Sequence, residues 1–190
     1  MPAHRSLDDL QAGLPHILDS PADNGLVRAI VVRPGPGQRA GRDCCEISLA
    51  GGVHGDAWAN GCWKSTDDGR PHPDVQICIM NARTIETIAG ESSNWLPAGD
   101  NLFIDLDLSP ENLPAGQRLA IGTAIIEVTD TPHNGCANFT QRYGRDATIF
   151  VNKGEGRRLR LRGIYARVVQ DGRVSTGDRV TKVPAALEQA

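Results

Sequence analysis

The sequence predicts a mainly β protein, a β-barrel-like closed or sandwiched sheet with two or three short helices at its flanks. Three observations predict it. About eight apolar segments of strand length alternate with turn residues along the chain. Glycine and proline are abundant, 21 and 12 in 190 residues, as tight turns between short strands require. Helical periodicity is confined to a few brief stretches, and closing the sheet removes the exposed strand edges such a chain would otherwise carry.

The elements follow in order. Residues 1–24 read as an N-terminal leader, with Leu7, Leu10, Leu14 and Ile17/Leu18 at helical spacing and Ser6 with Asp9 at the start. Gly13 and Pro15 make that helix short or broken. Residues 26–32 form a strand ended by the turn 34–37, and 45–49 a second strand leading into the glycine turn 51–58. A polar, Gly/Pro-punctuated loop covers 59–73, followed by a strand over 75–80. Asn81 caps a helix over 82–89 that Gly90 stops. Strands follow over 102–104, 118–121 and 124–129, then a short helix over 137–143 with Gly144 as its stop. The last third reads as strands over 148–151 and 158–169, and a hairpin through Asp171-Gly172 returning over 174–183. No repeat or linker interrupts residues 25–190, which read as one domain.

Composition narrows the function classes. A net charge of -3 gives no pull toward nucleic acid. No apolar run approaches the roughly 18 residues of a membrane span, and Met1-Pro2-Ala3-His4-Arg5 lacks the apolar core of a secretory signal. A cytoplasmic, reducing setting follows. The five cysteines, at 44, 45, 62, 78 and 136, form no C-x-x-C pair. Cys62, His72 and Cys78 match no recognised zinc spacing, and Cys78 sits inside an apolar strand, so buried inert thiols are the preferred reading.

Three features carry chemistry. Cys136 closes the run 131–136 at a strand-to-helix junction, where helix-start amides favour a thiolate; the alternative is a small residue packed at a helix start. The glycine-pinned turn 53–58 presents His54, Asp56 and Trp58, or is simply a tight turn capped by Asp56. Lys153, Arg157, Arg158, Arg160 and Arg162 form a basic run in which alternation places Arg158, Arg160 and Arg162 on one strand face. Guanidinium forks suit phosphate and carboxylate; a solvated edge strand is the rival reading. Arg83, Arg142 and Arg145 flank the helices and add to an anion-binding surface. A soft thiol, a glycine-shaped loop and several anion partners would suit a phosphorylated cofactor with a metal or electrophilic centre.

These blocks, in this order, resemble the MOSC domain, the family named for molybdenum cofactor sulfurase C-terminal domains. The resemblance spans roughly residues 25–183. It rests on Gly52-Val53-His54-Gly55-Asp56, on residues 72–77, and on Pro97-Ala98-Gly99-Asp100-Asn101-Leu102, where Asp100 stands for the family's usual Glu. It continues through 115–122, Cys136 at the family's cysteine position, 162–168 and 172–178. Two departures are Asn134-Gly135-Cys136 in place of Lys-Pro-Cys, and the long 59–73 loop. The resemblance implies a barrel of the pyruvate-kinase type with flanking helices, and a cysteine that ligates molybdenum or carries sulfur. It implies the molybdenum cofactor, a metal-pterin, with Cys136 as metal ligand. Arg158, Arg160, Arg162, Arg83 and Asn101 become candidate cofactor contacts, and Cys136, His133, His54 and Asp56 candidate catalytic groups. The expected activity is reduction of N-hydroxylated compounds, with a small-molecule substrate and a separate electron donor. A non-catalytic carrier of sulfur or cofactor, served by a sulfur-transfer protein, and a binding domain without chemistry are the alternatives.

Overall fold

The computed structural model describes residues 4–184; residues 1–3 of the chain start read for a secretory signal lie outside them. Two short helices come first, α1 (Leu7–Ala12) and α2 (Leu14–Leu18). They form as the sequence reading expects. The Ser6 side chain accepts the Asp9 amide, and Gly13 ends α1 with Pro15 starting the next turn. Leu10 and Ile17 are buried against the main helical layer.

Strands β1 (Gly25–Val32), β2 (Ala40–Arg42), β3 (Cys44–Ser48) and β4 (Gly52–Val53) follow, then β5 (Ile77–Asn81), helix α3 (Ala82–Ala89) and β6 (Leu102–Asp105). The chain continues through β7 (Arg118–Ile121), β8 (Ala124–Val128), helices α4 (Ala137–Asn152) and α5 (Gly154–Arg158), and β9 (Ile164–Gln170). It ends in β10 (Gly172–Ser175) and β11 (Arg179–Val183). Seven strands close a barrel in the order β1-β11-β7-β8-β9-β5-β6 and back to β1. Strand β2 hangs on the far part of β1, and β10-β3-β4 make a small separate sheet.

Strand β1 is the seam. Gly25 and Leu26 pair with β11, while Leu26 to Ile30 pair with β6 across a register shift between Val27 and Ala29. A side chain at Gly25 would sit 2.2 Å from the Asp105 carbonyl oxygen, so this corner requires glycine. Strands β5 and β6 are the one parallel pair among the described strands, and α3 supplies the crossover such a pair needs. Asn81 Oδ1 accepts the Thr84 amide at 2.9 Å to start α3, and Gly90 at φ 70° ends it.

Alternation along the strands sorts the two cores. Ile77, Ile79, Leu102 and Ile104 fill the barrel with Val27, Ile126, Ala166 and Val180. Phe103 and Met80 point the other way, under Leu10, Ile85, Phe139, Tyr143 and Phe150 of the helical layer.

Three expectations in the last third are corrected. Gly144 breaks the helix at φ 91°, ψ 169°, but helix resumes beyond it, so residues 148–151 are helical rather than a strand. Ala147, Phe150 and Val151 bury one face at helical spacing, which a four-residue apolar window cannot reveal. Residues 158–162 form no strand: α5 ends at Arg158 and the chain turns, with Arg160 at φ 53°, before β9 begins at Ile164. The run is held as a turn because Arg162 is drawn inward to a buried carboxylate. Finally, Asp171-Gly172 closes no hairpin. Strand β10 crosses to β3, and a turn at Gly177, with Asp178 Oδ2 accepting the Ser175 amide, separates it from β11.

Candidate functional site

The site gathers the end of β1, Cys78 near the start of β5, and the segments that precede β6, precede β9 and follow β8. Arg33 follows β1 directly. It donates from Nε to Asp56 Oδ2 and from Nη2 to Asp56 Oδ1, both at 2.8 Å, and from Nη2 to Asn101 Oδ1 at 3.1 Å. Asp56 also accepts the Arg33 and Trp58 amides and Asn101 Nδ2. Asn101 Oδ1 in turn accepts the Cys78 amide. Burial alone would raise the Asp56 carboxyl, but the Arg33 hydrogen bonds and charge outweigh it and hold the group below its ordinary 3.8. A carboxylate depressed in this way stabilises the fold at neutral pH and loses that contribution as pH falls through the folded value. Below about pH 4 the unfolding free energy will therefore drop more steeply for wild type than for Asp56→Asn, a comparison urea titrations at stepped pH will read.

A second buried pair lies alongside. Arg162 Nη1 reaches both Asp100 oxygens at 2.9 Å, with neither side chain appreciably exposed. The guanidinium also sits over the Phe139 ring at 4.9 Å. Burial raises the Asp100 carboxyl, with Arg162 opposing. His133 stacks on Tyr165 with centroids 4.3 Å apart and places Nδ1 3.7 Å from Asp100 Oδ1, too far for a hydrogen bond. Burial first, then the Arg162 and Arg33 charges, push the imidazole well below its usual value, so His133 is neutral and this contact is no ion pair. Burial also raises the Cys78 thiol, against the weaker pull of Arg33, whose Nη1 lies 3.2 Å from Sγ.

The turn 97–99 joins these pairs. Its carbonyls accept from three arginines: Pro97 from Arg142 at 2.6 Å, Ala98 from Arg162 at 3.4 Å and Gly99 from Arg33 at 3.3 Å. Arg39 packs against Gly99 itself, its Nε and Nη2 each 3.2 Å from where a Cβ would stand. Gly99, at φ 82°, can hold this turn and admit that approach.

Cys136 is exposed and caps the start of α4. Its sulfur makes no capping bond. The loop before it is pinned by Asn152, whose Oδ1 accepts the Gly135 amide at 2.8 Å and whose Nδ2 donates to the Gly135 carbonyl at 3.0 Å. The same loop, residues 129–134, lines a cleft of ≈ 240 Å³ whose opposite wall carries Arg157, Arg160 and Arg162. The 59–73 loop is tied to this rim by Lys64 Nζ, which donates to Thr131 Oγ1 at 3.2 Å, and it sets exposed Trp63 6.4 Å from Tyr165.

The structure therefore brings together Asp56, Asn101, Arg162 and His133, places Arg160 on the cleft wall, and leaves Cys136 free at the edge of the cleft-lining loop. It does not bring in the rest. His54, two residues from Asp56, is exposed and bonds Ser48 Oγ over the small sheet. Arg83 pairs with Asp105 at the opposite end of β6. Arg158 is exposed and engages Glu155 and Glu111, so Arg158, Arg160 and Arg162 share no common face. Cys62, His72 and Cys78 are not assembled, and among the described residues no group of three or more His, Cys, Asp or Glu side chains is placed to hold a metal.

Sequence reasoning missed Arg33 and Arg39 and saw Asp100 only as a substitute within a block. A charged residue ending the apolar run 26–32 was the available signal for Arg33.

The donor set suits a group with a soft metal and an anionic tail. It offers one exposed thiol, an excess of guanidinium, and three buried nitrogens without a partner among the described residues: Arg39 Nε, His133 Nδ1 and Arg162 Nε. A closed barrel with an exposed thiol at the strand-to-helix junction and arginines gathered at one rim defines a small class of domains. The family model of the MOSC domain matches residues 50–181, and the chain belongs to that family, which is associated with molybdenum cofactor binding. No curated protein matches the chain. Among solved structures it resembles a hypothetical protein, at TM-score 0.57 and 18% identity over 86% of this chain and 70% of that one. It also resembles the YUAD protein from Bacillus subtilis, at TM-score 0.55 and 16% identity over 83% and 94%. YiiM from Escherichia coli gives TM-score 0.54 and 19% identity over 85% and 71%. At these identities the likeness establishes the fold.

Proposed function

We infer that this MOSC protein binds the molybdenum cofactor through the Cys136 thiolate and reduces N-hydroxylated compounds with electrons from a separate donor protein. The observation that carries the reading is the exposed Cys136 thiol, next in the chain to Gly135, whose backbone Asn152 clamps, and two residues beyond Asn134 on the wall of an arginine-bearing cleft. When bound, the cofactor would supply a metal centre able to pass two electrons to an N–O bond. The chain's own residues bind and position. Cys136 offers the soft ligand, the arginines at the rim hold and orient the anionic portion, and buried Asn101 fixes Arg33 and Asp56 behind them. Converting a hydroxylamine to an amine and water consumes two protons with the two electrons. Of the candidate proton carriers, His133 alone lines the cleft, while Asp56 is committed to Arg33 and His54 faces the small sheet.

The test is anaerobic reconstitution followed by molybdenum quantification. Cys136→Ser should retain less metal than wild type by about tenfold or more, since even removing a supporting hydrogen bond at a metal site costs that much. Equal retention by the two proteins would end the reading.

The exposure of Cys136 also favours a carrier role, because a sulfur open to solvent is open to a second protein. Treatment with a cysteine desulfurase and substrate, read by mass spectrometry, separates the two. A persulfide on Cys136 without hydroxylamine turnover points to a carrier, whereas sustained turnover with an electron donor excludes a carrier-only protein.

A further inference from the structure

Four arginines converge on the turn 97–99, yet among the described residues two carboxylates pair with them. Asp56 neutralises Arg33 and Asp100 neutralises Arg162. Arg39 and Arg142 pair with no carboxylate among the described residues. Arg39 spends Nη1 on the Gln38 carbonyl at 2.5 Å, and its buried Nε has no partner. Arg142 spends Nη1 on the Pro97 carbonyl. After burial, the strongest influences on Arg39 are the positive charges of Arg142 and Arg33, and the guanidinium is held below its ordinary value. Asp56 and Asp100 also act on Arg39, but each is already engaged by another arginine, so two cations that reach one turn are costly unless something anionic joins them.

The geometry points to Arg39 and Arg142 as a clamp for a phosphate group. Guanidinium forks take oxyanions through paired N–H donors, and a surplus of two positive charges matches a phosphate dianion better than a single carboxylate. Arg142 lies on the same helix as Cys136, six residues on, about 9 Å along the axis. Thiol and clamp are thus within reach of one ligand. The inference rests on the cofactor reading only for the identity of the molecule that bears the phosphate.

The test uses the full chain without metal and reads binding of inorganic phosphate and of glycerol phosphate by calorimetry, with sulfate as a third arm. Wild type should bind both phosphates, with glycerol phosphate at least matching the free ion. Arg39→Gln and Arg142→Gln should each weaken both by about tenfold, the loss of one charge-assisted contact. Arg158→Gln, which alters an exposed arginine already engaged by Glu155 and Glu111, should leave binding unchanged. In phosphate-free buffer Arg39→Gln should melt no lower than wild type, because it removes a like charge; a fall in melting temperature would mean that Arg39 is a structural prop. Unaltered phosphate affinity in both glutamine variants, equal affinity for sulfate in every protein, or no phosphate binding by wild type would overturn the clamp. Because molybdenum plays no part, this outcome is independent of the Cys136 reconstitution result.

Discussion

Asp100→Asn will lower the unfolding free energy by about 3–5 kcal/mol, the usual cost of stripping one partner from a buried ion pair. Asp100 is fully buried and both of its oxygens are engaged by Arg162 Nη1. Asparagine keeps the shape and one acceptor oxygen but removes the charge, leaving the Arg162 guanidinium buried without its counter-ion beside the Ala98 carbonyl and the Phe139 ring. Urea unfolding of the two proteins at neutral pH measures the difference. The double variant Asp100→Leu/Arg162→Met should recover much of the loss, because two apolar side chains need no mutual compensation. Recovery would show that the pair is kept for the site rather than for stability. A single variant within about 1 kcal/mol of wild type, the range of an exposed pair, would mean that solvent reaches this region.

Gly163→Ala should be comparably severe, about 2–5 kcal/mol, from backbone strain and overpacking together. Gly163 adopts φ 116°, and an added Cβ would stand 2.2 Å from the Ile79 carbonyl oxygen. That oxygen belongs to a barrel strand and cannot rotate aside. The same methyl would lie 3.1 Å from His133 Nδ1, so relief by moving the turn would also displace the cleft wall. Thermal melting reads the destabilisation, and phosphate calorimetry on the folded fraction reads whether the neighbouring rim stays intact. An alanine variant that melts with wild type would refute the close approach.

Much of the barrel was legible because its strands are short, apolar and bounded by glycine or proline. The break at Gly144, the Asn81 cap and the split N-terminal helix were readable for the same reason: each depends on neighbours in sequence. The region after Gly144 was not. A four-residue apolar stretch fits strand and helix alike, and the Arg-Leu alternation at 158–162 imitates a strand while tertiary forces fold it as a turn. At the site, Cys136 could be picked out by its junction between a strand and a helix, and Asn101 by the block around it. The convergence of Arg33, Arg39, Arg142 and Arg162 on residues 97–99 could not, since these arginines come from separate elements that meet only when the sheet closes. His54 and Asp56 show the complementary limit: two residues apart across a turn at Gly55, φ 85°, His54 is exposed beside Ser48 while Asp56 is buried against Arg33.

The parallel pair, β5 beside β6, has an architectural outcome. In an up-and-down meander, adjacent strands begin at alternate ends, and the loops entering them are dealt out to both mouths. Here two neighbouring strands start at the same mouth, so the segments entering them, 59–76 and 90–101, lie next to each other. Insertions in either can reshape what that mouth admits while the Arg83–Asp105 pair, past the other ends of β5 and β6, keeps its fastening.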